Sequence, residues 1–183
     1  AYMEERFETE GVPLKQGLIP LLQYLKKNDY RTIVATSSNR DRVDKILASA
    51  NLTDYFDDSI CGDEVTNGKP NPDVFLKSCD KLFVNPDEAL VLEDSEAGIE
   101  AAFRANIPVI CIPDMKYPEE QYAQMTTAIL DSLDLVKDYL IEHQTVEEKP
   151  SSIKKYAKAA AGITGAVGVL LLAGILARKM LNK

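Results

Sequence analysis

The chain has 183 residues, 45% hydrophobic and 27% charged. That balance excludes a disordered chain, a collagen and a polytopic membrane protein, and it gives room for one domain with an appendage. The net charge of −8 argues against a nucleic-acid binder, because polyanions are held by clustered Lys and Arg.

Residues 1–10 (AYMEERFETE) are charged and lack the apolar run of a signal peptide. They read as the end of a helix. From there helix and strand patterns alternate. Leu18, Leu21, Leu22 and Leu25 recur at helical spacing, and TIVAT (32–36) follows as a strand. Val43, Ile46, Leu47 and Ala50 mark a second helical face before a short strand, SIC (59–61). Val74, Phe75, Cys79 and Leu82 make a third face, followed by ALVLE (89–93). A helix over 95–105 precedes PVICI (108–112), and a weaker strand, TAIL (127–130), leads into a last helix near 132–143. Short apolar strands alternating with helices predict a parallel sheet covered on both faces. In such sheets the ligand lies beyond the carboxyl ends of the strands. Cys61, Cys79 and Cys111 sit among apolar neighbours without C-x-x-C spacing, as reduced thiols of a cytosolic core would. The single histidine, His143, leaves no material for a His-rich metal site or a Ser-His-Asp triad.

QTVEEKPSS (144–152) reads as a linker. Beyond it the character changes. Residues 151–183 carry six basic residues and no acid, so the tail is +6 and residues 1–150 are −14. Such a split suggests two environments for one chain. Residues 159–177 are 19 in a row without a charge; as a helix they would be about 28 Å long, close to the ~30 Å hydrocarbon core of a bilayer. The expectation is a transmembrane helix within 153–183, with membrane association through 159–177. Six Ala and four Gly dilute its eight Ile, Val and Leu, and the alternatives are a buried helix or a disordered Ala/Gly tail. The pairs Ala161/Gly165 and Gly162/Ala166 have the small-residue spacing that lets helices pack closely in lipid.

Three strand ends carry polar groups. Thr36-Ser37-Ser38-Asn39 follows the first strand, where hydroxyls and helix-start N–H groups can hold a phosphate oxygen. The plainer role is that Ser38 or Asn39 caps the next helix. Lys69 lies in GKPNP (68–72), whose prolines stiffen the loop and present a fixed ammonium. Such a group neutralises a phosphate or a carboxylate; the plainer role is a solvated lysine. Glu93 and Asp94 directly follow the most apolar strand. Adjacent carboxylates there suit Mg²⁺, a hard cation that takes oxygen ligands. A capping role for Asp94 or Ser95 leaves Glu93 unexplained, since a carboxylate beside a buried strand is costly without a partner.

Taken together, TIVATSSNR, GKPNPDVF and VLEDSEAGIEAA resemble the second, third and fourth motifs of the haloacid dehalogenase-like hydrolases. The nearest likeness is to the subfamily that includes β-phosphoglucomutase-like enzymes. The resemblance covers about residues 8–142. It implies a Rossmann-like α/β domain in which an aspartate after the first strand attacks a phosphoryl group, with Mg²⁺ bridging the two. Asp94 would then be a direct metal ligand, and Glu93 a ligand directly or through water. Thr36, Ser37 and Lys69 would hold phosphate oxygens, with Thr36 and Lys69 the catalytic pair. By the same likeness residues 1–10 match the end of the family's helical cap and 11–143 a partial core.

The family's first motif, an apolar strand followed by Asp-x-Asp-Gly-Thr, has no counterpart in the N-terminal region. The chain is therefore expected to be a piece of a longer enzyme, lacking its first strand and most of its cap. Its sheet would have a gap between TIVAT and ALVLE. The expected activity is Mg²⁺-dependent hydrolysis of a small phosphorylated metabolite such as a sugar phosphate, in a cytoplasmic domain anchored by its tail. The alternatives are a phosphomutase or an inactive, membrane-tethered binding module.

Overall fold

The computed structural model describes residues 12–144 and the strand 169–173. Gly17 starts the first helix, α1 (Leu18–Lys27), from the left-handed region at φ 83°. A Cβ on Gly17 would fall 2.5 Å from the Asp134 backbone nitrogen, so glycine is required there both for conformation and for space. Strand β1 (Arg31–Ala35) follows. Helix α2 (Arg40–Ser49) is capped by Asn39, whose side chain accepts from the Arg42 N–H at 3.1 Å. Next come β2 (Asp58–Ile60), α3 (Asp73–Leu82), β3 (Ala89–Glu93) and α4 (Glu96–Arg104). Strand β4 (Val109–Cys111), the short α5 (Glu120–Ala123), β5 (Ala128–Ile129), α6 (Leu133–Gln144) and β6 (Val169–Ala173) complete the order.

The six strands form one parallel sheet in the order β2-β1-β6-β3-β4-β5. Because strand side chains alternate, Val34, Leu90 and Leu92 face one side and pack with Leu18, Leu21, Leu22 and Leu25 of α1, Val43 and Leu47 of α2, and Leu133, Val136 and Leu140 of α6. Ile33, Ala35, Ala89 and Val91 face the other, against Val74, Phe75, Cys79 and Leu82 of α3 and Ile99, Ala101 and Ala102 of α4. The expected α/β order of residues 18–144 holds, with ends displaced by at most two residues, and α5 is an addition to it.

The tail departs from expectation. Residues 169–173 form no helix; they are a central strand, pairing Val169 with both Arg31 and Ala89, and Leu171 with both Ile33 and Val91. The expected gap between β1 and β3 is thereby closed. The cause is backbone chemistry. Two parallel strands standing apart present facing rows of N–H and C=O groups that must be paired. A short apolar run bounded by Gly168 and Gly174 satisfies both rows as a strand, whereas a helix would satisfy neither. Among the described residues no helix is long and apolar enough to cross a membrane. The rest of the expected transmembrane segment (153–168 and 174–183), the cap-helix end 1–10 and linker residues 145–152 lie outside the described residues. Gln144, expected in the linker, ends α6.

All three cysteines are free and buried. Burial pushes the thiols of Cys61, Cys79 and Cys111 up to about 11, which leaves little thiolate to react. Native protein at pH 8 should therefore take up iodoacetamide far more slowly than urea-unfolded protein. Equal labelling rates would contradict this packing.

Candidate functional site

The polar groups gather at the carboxyl ends of β1 and β3, on either side of β6. Lys69 and Glu93 form the centre. Lys69 Nζ donates to Glu93 Oε1 at 2.5 Å and approaches the Ala35 carbonyl at 3.5 Å. It also lies 4.8 Å from the centre of the Phe75 ring, a further stabilising place for a cation. The Glu93 side chain is fully buried and that of Lys69 nearly so. Lys69 is delivered by the loop before α3, and its peptide to Pro70 is cis. The ammonium thus links the ends of two strands that are not neighbours in the sheet.

Glu93 is satisfied on both oxygens. Oε2 accepts from the Asp94 N–H, the Ser95 N–H and the Ser95 hydroxyl, each at 2.8 Å. The Ser95 Oγ in turn accepts from the Gly98 N–H at 3.1 Å, capping α4. Gly98 packs directly on the carboxylate: a Cβ there would lie 2.0 Å from Glu93 Cδ and Oε1. This answers the question raised by a carboxylate at a buried strand end. Four donors compensate its desolvation, and they turn it inward.

Asp94 points elsewhere. Its side chain is 1% exposed, and its Oδ2 faces Lys15 Nζ at 3.7 Å. Lys15 also pairs with Asp114 Oδ1 at 3.5 Å and donates to the Ile112 carbonyl at 3.2 Å. Asp94 is thus a hard oxygen donor held in a place that already favours positive charge. That donor chemistry fits a divalent ion such as Mg²⁺, which uses one or two carboxylates and completes its shell with water and phosphate. Glu93, with its lone pairs given to Lys69 and to backbone and hydroxyl donors, fits direct ligation less well.

Thr36 follows β1 directly. Its N–H bonds the Ile60 carbonyl at 3.0 Å, and its Oγ1 accepts from the Ser38 N–H at 3.1 Å. Ser37 is exposed. The Ser37 carbonyl would be 2.3 Å from a Cβ on Gly62, and the Gly62 N–H bonds the Ser38 carbonyl at 2.7 Å. Glycine at 62 lets the two strand-end loops touch. The structure therefore brings Lys69, Glu93 and Asp94 into one group and sets Thr36 at the adjoining strand end. No hydrogen bond among the described residues ties Ser37 to that group.

A second cluster, Cys61, Asp63 and Glu64, has ligand atoms within 4.8 Å of one another. Its oxygens are already committed. Arg40 contacts Glu64, the Arg40 N–H meets both Asp63 oxygens at 3.2 and 3.3 Å, and the Cys61 N–H donates to Glu64 at 2.8 Å. Burial works against charge on Glu64, but the Cys61 N–H and the Arg40 guanidinium outweigh it and hold the carboxyl below its usual range. This cluster clamps α2 to the loop after β2. His143 is exposed on the outer side of α6, stacked on Tyr139.

Sequence reasoning missed Lys15, Asp114 and Gly98. Lys15 and Asp114 belong to no motif, and only the tertiary fold brings them to Asp94. Gly98 had a signal, a glycine in the first turn of an amphipathic helix, where alanine is the better helix former.

Residues 1–112 match the profile of a family described as haloacid dehalogenase-like hydrolase. Among curated proteins, the probable pseudouridine-5'-phosphatase of Drosophila melanogaster is 33% identical over 141 residues, covering 72% of this chain and 61% of that protein. The phosphorylated carbohydrates phosphatase of Thermotoga maritima is 34% identical over 104 residues, 57% of this chain and 48% of that protein. The chain thus spans roughly half to three-fifths of these relatives' lengths. Among solved structures, CbbY of Rhodobacter sphaeroides in complex with phosphate superposes with a TM-score of 0.64 at 29% identity, covering 72% of this chain and 61% of that one.

Proposed function

Because the chain belongs to the haloacid dehalogenase-like hydrolases, we propose that it holds the phosphate and the metal in a Mg²⁺-dependent phosphatase acting on a small phosphorylated metabolite, such as a sugar phosphate. The observation that carries this reading is the nearly buried Lys69 ammonium, anchored between the ends of β1 and β3. An ammonium has three donors. Glu93 and the Ala35 carbonyl take two, and the third is left for a phosphate oxygen. The Thr36 hydroxyl accepts from Ser38 and so has its own proton to donate to a second oxygen. Asp94 would hold Mg²⁺, which when bound neutralises charge on the phosphoryl oxygens. Glu93 acts through Lys69, fixing the ammonium and the turn that carries Asp94. The charge of −14 on residues 1–150 would repel a phosphate ester, so Lys69 supplies the local attraction.

The attacking carboxylate of an aspartyl-phosphate route would come from outside these 183 residues, which contain no Asp-x-Asp. The two curated relatives above are called phosphatases, which supports that reading, and a phosphomutase is the second reading, since solved structures named as β-phosphoglucomutases are also similar.

The test is titration of inorganic phosphate into the chain in the presence of Mg²⁺. Lys69→Met should weaken binding about 10- to 100-fold, the worth of a charged hydrogen bond. Thr36→Ala should weaken it by less, about 3- to 10-fold. Phosphate affinity unchanged in both variants would end this assignment. No phosphate ester should be turned over by the chain on its own; turnover would mean that some other group attacks.

A further inference from the structure

Lys15 belongs to no helix or strand. It lies in the short described segment before Gly17, yet its ammonium is set where Asp94 points. Nζ is 3.7 Å from Asp94 Oδ2, 3.5 Å from Asp114 Oδ1 and 3.2 Å from the Ile112 carbonyl. The Lys15 and Asp114 side chains are each only 17% exposed, and that of Asp94 is 1% exposed. Two carboxylates brought together with so little water repel each other, and a cation between them relieves the repulsion. Here the cation is part of the chain.

On the reading of Asp94 as a metal ligand, the ion would be held by the same carboxylate that Lys15 faces. An ammonium and a divalent cation cannot share it at low cost, because their like charges repel. We infer that Lys15 is a tethered counter-cation of Asp94 that competes with Mg²⁺. In the ion's absence it holds the Asp94 and Asp114 carboxylates together. When the ion binds, Lys15 gives up Asp94 and keeps Asp114, so Asp114 acts as the lysine's parking place. The chain's own lysine then sets the Mg²⁺ affinity. This inference rests on the reading of Asp94 as the residue that holds the metal.

The experiment is calorimetric titration of Mg²⁺ alone, without phosphate or substrate, into the chain and its variants. Lys15→Met keeps the aliphatic stem and removes the charge; it should bind Mg²⁺ on the order of tenfold more tightly. Asp114→Asn leaves Lys15 with Asp94 alone and should weaken binding several-fold. In the Lys15→Met background the same Asp114→Asn change should have much less effect, the non-additivity expected of residues acting as a unit. Asp94→Asn should abolish binding. Thermal melting gives a second readout. Without Mg²⁺ the Lys15→Met protein should melt below the parent, because Asp94 has lost its facing cation. Added Mg²⁺ should raise its melting temperature more than the parent's.

The outcomes separate the two readings. Binding that Asp94→Asn leaves intact, or no binding in either parent or Lys15→Met, overturns the metal assignment and this inference with it. Binding lost in Asp94→Asn but equal or weaker in Lys15→Met overturns the role of Lys15 and leaves the metal assignment standing. Binding detectable only in Lys15→Met supports the competition.

Discussion

Replacing Gly98 by alanine should destabilise the protein by about 3–5 kcal/mol, the range for breaking a buried charge pair. The opposite expectation has a real basis, since alanine stabilises a helix by roughly 1 kcal/mol relative to glycine. Geometry decides the sign. The new methyl would sit 2.0 Å from Glu93 Cδ and Oε1 and 2.5 Å from Oε2. The carboxylate would have to leave, and with it the bonds to Lys69, the Asp94 and Ser95 N–H groups and the Ser95 hydroxyl. Lys69 would then lose the partner that fixes it, so phosphate binding should fall together with stability. Urea unfolding of Gly98→Ala measures the first effect. In a Glu93→Ala background the steric conflict is gone, and the same substitution should become neutral or stabilising. A Gly98→Ala protein as stable as its parent would mean that the carboxylate lies elsewhere.

Proline at position 171 should also be strongly damaging, since in the middle of a sheet it removes a ladder hydrogen bond and leaves a buried acceptor unpaired, which alone costs about 1–3 kcal/mol. Leu171 is opposite Ile33 on one side and Val91 on the other. A residue in a strand with neighbours on both edges has no solvent to take over a lost hydrogen bond, and the proline ring also crowds the adjoining strand. The expected result is a large fall in the urea midpoint of the whole sheet, followed by the circular dichroism of α1–α6. If Leu171→Pro left that transition unchanged, residues 169–173 would not be part of the core.

That strand is also the clearest limit on what the sequence discloses. VLLLA lies within 19 uncharged residues rich in Ala and Gly, and a short apolar run cannot be told from a buried helix by its periodicity. What decides is the need of β1 and β3 for a partner, a property of distant residues. Helices α1–α4 and α6 were legible because each buries one stripe, whereas the four-residue α5 buries none and left no such pattern. ALVLE was legible because a strand buried on both faces is apolar throughout, and its bounds agree with β3.

At the site, Lys69, Glu93 and Asp94 stood out as polar groups at ends of apolar elements. Their division of labour did not. Glu93 and Asp94 are adjacent, and nothing in the sequence says that one turns inward to Lys69 while the other faces Lys15. That outcome depends on the Ser95 hydroxyl and the open space at Gly98, which together draw Glu93 into the start of α4. The capping roles of Asn39 and Ser95 were readable from residue type alone.

The middle of the sheet is made by the strand that comes last in chain order among those described. Strands β1 to β5 leave the ribosome before β6, yet β1 and β3 meet only through β6. Until β6 arrives, strands β1–β2 and β3–β5 stand as two halves, each with an open edge that invites pairing with other chains. Joining Ile33 to Leu171 closes a loop that takes in nearly the whole described chain, the kind of distant contact that slows folding. Refolding from denaturant should accordingly be slow and concentration-sensitive, and during synthesis the half-built sheet is a natural client for chaperones.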